Sequence, residues 1–440
     1  MSNYQTLLNS LPSDWKTKKI TELGVVISGG TPSRAVSSFW QGTTPWLTPG
    51  EVSKCKDKHI SSTFEYITDS GLNNSGAHLL PEGSLLVTSR ATLGARVINQ
   101  VPMTTNQGFK SIVFEDPKDA DYYFHFLSLL KAELERRASG TTFLEISGTE
   151  FSDIDLPVPP KNERNKINEI LDTLDTQIRE TEAIIAKLQQ LKQGLLHDLL
   201  TRGVAENGEL RPSYEEDPRL YKLSELGHIP KGWDVKRIDE ISTVRSGSTP
   251  LRARAEHYYC EDGGFPWIKT MDLNENTIVK TDERITSKAL QETSCSLFPE
   301  GSVLVAMYGG WEQIGRTALI QEPSATNQAI SVLIFNNVDI QPAFILRALQ
   351  LNRFRWKRVA ASTRKDPNIT KSDVELFQVA LPQSSIEQEK IVNIYSEMAN
   401  KLESEKSSLL KLKYQKSGLM DDLLTGKVRV TDLIKQQQTN

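Results

Sequence analysis

A basic stretch in the second half of the chain carries the side chains best suited to hold nucleic acid. Cationic side chains neutralise phosphates, and aromatic rings stack on bases or pack in a core. The sequence leaves two alternatives open for this stretch, a nucleic-acid contact and a solvated helix face. Its members are Arg347, Arg353, Phe354, Arg355, Trp356, Lys357, Arg358, Arg364 and Lys365.

The sequence holds no motif typical of an enzyme that acts on nucleic acid. It has no Gly-x-x-x-x-Gly-Lys-Ser/Thr phosphate loop, no Gly-x-Gly-x-x-Gly opening a helix, and no Asp/Asn-Pro-Pro-aromatic tetrapeptide. Cys55, Cys260 and Cys295 are widely spaced and the six histidines are scattered, so neither a disulfide nor a metal site is predicted. We therefore expect catalysis to lie in other proteins.

Composition describes an ordinary core-forming protein. The 440 residues are 38% hydrophobic and 25% charged, with a formal net charge of −4, and this length suggests roughly two to four domains. No apolar run approaches the ~18 residues that span a bilayer, and the N-terminus lacks signal-peptide features, so we expect a cytoplasmic location. Because the net charge is negative, any DNA-binding surface must be local.

A series of motifs occurs twice along the chain. Trp15 returns as Trp233, and Gly29-Gly30-Thr31-Pro32 as Gly247-Ser248-Thr249-Pro250, both 218 positions later. Pro81-Glu82-Gly83-Ser84 and Thr105-Asn106-Gln107 also recur, as Pro299-Glu300-Gly301-Ser302 and Thr326-Asn327-Gln328. A period of this length indicates a duplicated domain and not a solenoid. Each Gly-x-Thr-Pro segment predicts a tight turn.

Two long helices are predicted in matched positions. Apolar residues alternate every four and three positions from Ile167 to Leu199, and again 224 positions later from Ile391 to Leu423. Each helix should hold about 35 to 40 residues and measure roughly 55 to 60 Å. We expect an antiparallel coiled coil, the alternative being that each helix packs on its own domain. Four polar seam residues are expected to fix the register: Thr181, Lys192, Glu405 and Lys416.

The remaining segments mix short strand-like runs with a late helix in each half, which predicts an α+β fold. The expected fold is therefore two duplicated domains separated by two long helices. The predicted boundaries are 11–160 for the first domain, 161–202 for the central long helix, 203–228 for a linker, 229–384 for the second domain, 385–426 for the distal long helix, and 427–440 for a polar tail.

The order of these parts resembles the specificity (S) subunit of Type I restriction-modification enzymes. The resemblance covers about residues 11 to 426 and includes Ser224–Trp233, the repeated motifs, and the proline stretch leading into Glu387-Gln388-Glu389-Lys390-Ile391. The first half departs from the family pattern at Arg164, where the family usually has glutamine. The resemblance therefore leaves undecided which contact this residue makes at the helix start.

The resemblance implies two target recognition domains, each reading one half of a split, asymmetric DNA sequence. It also implies that the helices dock two modification subunits, which carry S-adenosylmethionine and methylate adenine, and two restriction subunits, which use ATP and Mg²⁺. This chain would bind no cofactor and no membrane itself. The rival hypothesis is a coiled-coil interaction scaffold that does not bind DNA.

Base readers are expected on loops, because arginine suits guanine and hydrogen-bonding side chains suit the other base edges. Trp46 and Trp267 are predicted to belong to the core, and Asn106 and Asn327 to cap main-chain groups. The candidate DNA-binding residues are Ser33, Arg34, Arg90, Thr92, Arg96, Thr141 and Thr142 in the first domain and Arg252, Arg254, Tyr308, Trp311, Arg316, Thr363, Arg364 and Lys365 in the second.

Overall fold

The computed structural model describes residues 3–140, 144–360 and 367–439, which divide into two compact units. Unit 1 comprises Met1–Glu182 and Ser407–Asn440, and unit 2 comprises Ala183–Lys406. Each unit holds one copy of the duplicated domain and about half of each long helix. Within the described residues, no helix combines the length and the apolarity that crossing a bilayer requires.

Unit 1 is built on a five-stranded sheet of order β2-β9-β6-β7-β4, with a three-stranded sheet β5-β3-β8 and a pair β1-β10. The strands are β1 Lys16–Lys19, β2 Gly24–Ser28, β3 Trp40–Leu47, β4 His59–Ile60, β5 Glu65–Ile67, β6 Leu85–Thr88, β7 Arg96–Asn99, β8 Thr104–Thr105, β9 Phe109–Phe114 and β10 Asp155–Val158. The short helices are α1 Asn3–Asn9, α2 Pro49–Val52, α3 Asp69–Asn73, α4 Asp119–Phe126, α5 Lys131–Arg137 and α6 Gly148–Ser152.

The two long helices are α7, Lys161–Thr201, with 41 residues, and α14, Ser385–Leu424, with 40. Between them, unit 2 contains the short helices α8 Ile238–Ile241, α9 Ala255–Tyr258, α10 Ser287–Glu292, α11 Pro342–Leu351, α12 Trp356–Val359 and α13 Lys371–Glu375. A last helix, α15 Thr431–Thr439, lies in unit 1, within the predicted polar tail.

Unit 2 repeats the architecture of unit 1. Its five-stranded sheet has the order β14-β22-β19-β20-β17, in which every strand occupies the place of its counterpart in unit 1. The strands are β11 Tyr221–Ser224, β12 Gly227–Pro230, β13 Trp233–Arg237, β14 Thr243–Ser246, β15 Tyr259–Cys260, β16 Phe265–Ile268, β17 Thr277–Ile278, β18 Glu283–Ile285, β19 Val303–Ala306, β20 Thr317–Ile320, β21 Ala325–Thr326, β22 Ile330–Ile334 and β23 Gln378–Pro382. The predicted duplicated α+β fold is confirmed. The last residues of the predicted linker, 221–228, form most of the hairpin β11-β12, which ends at Pro230 in the predicted second domain.

The long helices pack in opposite directions in both units. In unit 1, Ile167 near the start of α7 shares a core with Leu423 at the end of α14. In unit 2, Leu199 at the end of α7 shares a core with Ile391 near the start of α14. The predicted antiparallel coiled coil is therefore confirmed, and its seam is apolar as the 4,3 pattern requires.

Two of the predicted polar seam residues join the helices to each other. In unit 1, Lys416 of α14 forms an ion pair with Asp175 of α7. In unit 2, the Lys192 ammonium lies 5.3 Å from the ring centroid of Tyr395, a cation–π contact. Thr181 instead donates to the Gln177 carbonyl of its own helix at 2.7 Å.

A buried carboxylate anchors the start of α7 in unit 1. Glu163 is 2% exposed and accepts from the indole Nε1 of Trp15 at 3.2 Å and from Nε of Arg429 at 3.1 Å. Arg429 follows the end of α14 and also binds Asp14 through two bonds of 2.7 and 2.9 Å. Trp15, Glu163 and Arg429, here called the unit 1 node, fasten the domain to one helix start and one helix end.

Unit 2 contains the same arrangement. Glu387, near the start of α14, accepts from Trp233 Nε1 at 3.0 Å and from Arg211 at 2.9 Å, and it also accepts from the Val204 main-chain N–H. Gly203 has φ of +67°, and a Cβ there would lie 2.3 Å from Glu387 Oε1, so this close turn requires glycine. Trp233, Glu387 and Arg211 form the unit 2 node.

The departure at Arg164 has a visible consequence. In unit 2 the matching Gln388 accepts from the Gln341 main-chain N–H at 2.9 Å and donates to the Pro382 carbonyl at 3.0 Å. Arg164 has no acceptor group and forms an ion pair of 3.0 Å with Asp119 instead. The helix start in unit 1 is therefore held by charge where unit 2 uses an amide.

The Gly-x-Thr-Pro segments are extended and docked, so the predicted tight turn is wrong. In unit 1 the Gly30 N–H donates to the Thr105 carbonyl at 2.9 Å, and a turn occurs only at Ser33–Val36. A Cβ on Gly29 would lie 1.9 Å from the Asn106 carbonyl oxygen. Glycine is therefore needed for close approach to the neighbouring strand, which the local sequence did not indicate.

Candidate nucleic-acid interface

In unit 1, a loop and a bridged segment bring several predicted base readers together. The loop between β6 and β7 carries Arg90 and Thr92, and Arg90 forms an isolated bridge with Glu145. Ser139 bridges Glu145 as well, so the described residues at the two ends of the segment 139–145 lie beside each other, and Glu145 lies beside this loop. The predicted readers Thr141 and Thr142 belong to that segment but lie outside the described residues.

Unit 2 has the same main-chain arrangement of this loop and its neighbouring segment, here called the repeated frame, but its loop is longer. The Ile369 N–H donates to the Met307 carbonyl at 3.0 Å, as Ile146 does to Ser89 in unit 1. The loop between β19 and β20 is three residues longer than its counterpart and carries Tyr308, Trp311 and Arg316. Thr363, Arg364 and Lys365 lie outside the described residues, in the segment that leads to Ile369.

A recess of about 430 Å³ in unit 2 joins predicted readers to the basic stretch. Trp311 and Phe354 are 44% and 61% exposed, and Arg316 and Lys357 supply cations to the same recess. Exposed rings beside cations can stack on bases while the charges hold phosphates. The arrangement therefore suits a nucleotide strand better than an uncharged ligand.

A matching recess of about 660 Å³ lies in unit 1, beside the shorter loop. Thr92, Arg96, Leu127, Lys131 and Glu135 contribute to its lining. The two recesses occupy the same place in the repeated frame, next to glycines of positive φ at 94 and 315. Their described side chains differ, since Trp311 and Phe354 line the unit 2 recess, whereas the described lining of the unit 1 recess contains no tryptophan or phenylalanine.

The described members of the basic stretch divide into packed and exposed side chains, and the nucleic-acid contact stays a prediction. Arg353 donates to the Ile314 carbonyl at 3.0 Å and pairs with Glu275 at 2.7 Å, so it is a structural residue. Arg355 donates to the Gln378 carbonyl at 2.8 Å, and burial lowers the pKa of its guanidinium. Lys357 and Arg358 are exposed and available to phosphates.

Two predicted readers make the same pair of contacts in the two units, an ion pair with a glutamate and a cation–π contact with an aromatic ring. Arg34 makes an ion pair with Glu65 and lies 3.8 Å from the ring centroid of Trp40. Arg252 pairs with Glu283 at 2.7 Å and lies 4.2 Å from the ring of Tyr259. Each guanidinium remains about half exposed, with 56% and 53% of the side chain accessible. A half-exposed, prepositioned guanidinium can still donate to a phosphate or a base.

Arg96 has a packing role that the sequence did not predict. Its guanidinium donates to the carbonyls of Phe124 and of Gly94, the latter at 3.1 Å, and lies 5.0 Å from the Phe124 ring. Burial lowers the pKa of Arg96 to about 10. Ser33 and Arg254 are exposed, and their assignment as base readers stays a prediction.

The predictions for the repeated tryptophans and asparagines are confirmed. Trp46 and Trp267 are 3% and 2% exposed, and each indole donates to a main-chain carbonyl. Asn106 Oδ1 accepts from the Gly108 N–H at 2.8 Å, and Asn327 Oδ1 accepts from the Ala329 N–H at 3.1 Å.

Comparison with known proteins decides the family. The model of the Type I restriction modification DNA specificity domain matches this chain twice, at residues 12–190 and 230–414. The chain belongs to this family. Each match covers one recognition-domain copy and most of the long helix that follows it, which agrees with the observed duplication.

Relatives and solved structures extend over nearly the whole chain. The specificity subunit of the Type I restriction enzyme MjaIX from Methanocaldococcus jannaschii is 26% identical and covers 98% of this chain and 97% of the relative. The EcoR124I/EcoR124II specificity subunit of Escherichia coli is 29% identical over 37% of this chain and 41% of its own length. The crystal structure of the Type-I restriction-modification system S subunit from M. genitalium shares the fold, with a TM-score of 0.57, 17% identity and coverage of 94% and 96%.

The first specificity domain holds a polar network that the sequence did not reveal. The buried His125 ring contacts Asp172 of α7 at 3.0 Å, and Lys58 lies 2.8 Å from the same carboxylate. His125, Asp172 and Asp175 are close enough to share a metal ion, but Lys58 and Lys416 already neutralise the two carboxylates. The geometry therefore favours an ion-pair network, whose members lie too far apart in sequence to form a motif.

Replacing Asp172 with asparagine should destabilise unit 1 at neutral pH but not near pH 2. Burial raises the pKa of Asp172, yet hydrogen bonds from His125 and Lys58 outweigh it and bring the pKa to about 2. A carboxyl group whose pKa is lower in the folded state than in the unfolded state, ~3.9, stabilises the fold when the pH is above the unfolded-state pKa. That contribution disappears as the pH falls towards 2. We expect a loss of about 1 to 2 kcal/mol at pH 7.

Urea unfolding at several pH values measures this difference between wild type and Asp172→Asn. The exposed Glu180→Gln on the same helix is the control and should unfold like wild type at every pH. A difference that stays constant down to pH 2 would contradict the assignment.

Proposed function

We propose that this chain is the DNA-recognition subunit of a Type I restriction-modification complex. The observation that carries the proposal is the repeated frame with unlike linings: two domains of one sheet order present equivalent recesses with different side chains. A reader of one palindromic sequence would need two equal linings. Unequal linings support a target of two different half-sites.

The long helices support the rest of the proposal. We infer that their length sets the number of unread base pairs between the half-sites, since helices of about 60 Å exceed one DNA turn of ~34 Å. Modification and restriction subunits would dock on these helices and bring S-adenosylmethionine, ATP and Mg²⁺, while this chain binds none of them. We place the complex in the cytoplasm, where its DNA substrate lies.

DNA retention at several salt concentrations tests the proposal against the scaffold alternative. Phosphate contacts predict an affinity that falls steeply with salt, because bound cations are released from DNA. A protein-only scaffold predicts no retention at any salt concentration. Incubation of the purified chain with DNA, Mg²⁺, ATP and S-adenosylmethionine adds a second test, since turnover without partners would contradict a non-catalytic recognition subunit.

Removing Trp311 and Arg316 together should weaken DNA binding roughly 10- to 100-fold. The expectation follows from the loss of one stacking ring and one hydrogen-bonding cation, each worth about 1 to 3 kcal/mol at best. Competitive binding to duplexes in which each half-site is altered in turn would place the loss in one half-site. Lys236→Ala, which removes an exposed cation from the same unit, is the control. Equal affinity of the double variant and wild type would rule out this recess.

A further inference from the structure

Lys110 of β9 is a largely buried lysine to which the described residues offer no hydrogen bond or ion pair. It lies opposite Ser28 of β2 and Val87 of β6, and only 8% of it is exposed. Among the described residues, no hydrogen bond or ion pair satisfies its ammonium group, and burial lowers its pKa. Removing an ammonium group from water costs free energy unless an acceptor compensates, so a bound group that supplies an acceptor would stabilise Lys110.

The surroundings of Lys110 belong to the candidate interface. The hydroxyl of Ser89, next to the end of β6, is also buried without a partner. Arg90 and Glu145 act electrostatically on Lys110 from the loop and the bridged segment described above. A buried hydroxyl without a partner and a largely buried lysine therefore occur beside the loop that carries Arg90.

Unit 2 has a satisfied pair at the equivalent positions. Ser331 lies opposite Ser246 and Val305, as Lys110 lies opposite their counterparts in unit 1. Its hydroxyl contacts the sulfur of Met307 at 3.0 Å, and Met307 replaces Ser89. The main-chain frame is therefore the same in both units, while the side-chain pair at this point differs. That is the pattern expected of a residue that distinguishes two half-sites.

We propose that Lys110 is a specificity-determining residue whose ammonium group donates to an acceptor atom of the DNA at one half-site. The proposal rests on the proposed function. The acceptor is either a base-edge atom in the groove or a phosphate oxygen, and both would supply the partner that the described residues do not. Lys110 thus makes this contact only in the complex with DNA.

Selection from random 40-base-pair duplexes tests the proposal with the full chain. The variants are Lys110→Met and the double variant Ser89→Met/Lys110→Ser, which installs the pair that unit 2 already folds around. Lys16→Met, at an exposed lysine on β1, is the control. Both variants should melt at the wild-type temperature or above it, yet bind the selected duplex roughly 10- to 100-fold more weakly.

The outcomes distinguish a base-edge acceptor from a phosphate acceptor, and both of these from a structural ion pair of Lys110 with Glu145. Relaxed sequence at one half-site indicates a base edge, whereas an unchanged sequence with a salt slope reduced by about one indicates a phosphate. Unchanged affinity, sequence and slope in both variants would overturn the inference. So would equal losses of melting temperature in Lys110→Met and Glu145→Gln, because these would identify a structural ion pair. If the wild-type chain selects no sequence, the proposed function itself fails.

Discussion

Replacing Glu163 with alanine is expected to destabilise unit 1 by about 3 kcal/mol. The change removes the acceptor of the buried Trp15 indole and one partner of Arg429. Breaking a buried ion pair from one side typically costs about 3 to 5 kcal/mol because the other charge is left unpaired. Arg429 keeps its bonds to Asp14, so the lower end of that range applies.

Asp14→Asn provides a matched control, because both carboxylates bind the same guanidinium. Asp14 is 53% exposed, whereas Glu163 is 2% exposed, and exposed ion pairs contribute little to stability because water screens them. Urea unfolding followed by tryptophan fluorescence compares the two variants. Equal losses would show that burial does not decide the contribution of the unit 1 node. Glu387→Ala should reproduce the large effect in unit 2, where it would deprive Trp233 and Arg211 of the same acceptor.

Deleting one heptad from each long helix should shorten the spacing between the half-sites by about three base pairs. Removal of residues 181–187 together with the matching residues 405–411 keeps the 4,3 phase of both seams. Seven residues correspond to about 10 Å of helix, and one base pair to about 3.4 Å. We expect a methylated target with the same half-sites and a shorter unread spacer.

The readout is a methylation map of cells that express the variant with its modification subunit. Deleting only residues 181–187 is the informative comparison, since helices of unequal length cannot keep both ends of the seam in register. That variant should lose methylation without acquiring a new spacing. The original spacing at full efficiency in the double deletion would refute the proposed role of helix length.

The long helices were predictable because their signal is local and was repeated. The seam from Ile167 to Leu199 carries its own periodicity, and a second copy 224 positions later excluded coincidence. The core positions of Trp46 and Trp267 followed from residue type, because large aromatic side chains are highly buried on average. The observed lengths of the two helices also agree with the expected lengths. A long segment with a sustained helical period is compatible with few other element types.

The side-chain partners were not predictable, because tertiary packing chooses them. Arg429 reaches Glu163 across 266 positions of sequence, and no short spacing indicates such a pair. Arg96 was predicted to read bases on the strength of its residue type, yet it binds main-chain carbonyls. Lys110 was missed because a single lysine within an apolar strand carries no motif; only its burial without a partner identifies it.

The composition of unit 1 has a consequence for synthesis of the chain. Its apolar core includes Leu423, Leu424 and Val430 beside the early residues Trp15 and Ile20. Ribosomes deliver the N-terminal domain first, so this domain must wait with an open apolar surface until Leu423, Leu424 and Val430 emerge. A prematurely terminated product would keep that surface exposed and become a substrate for proteases.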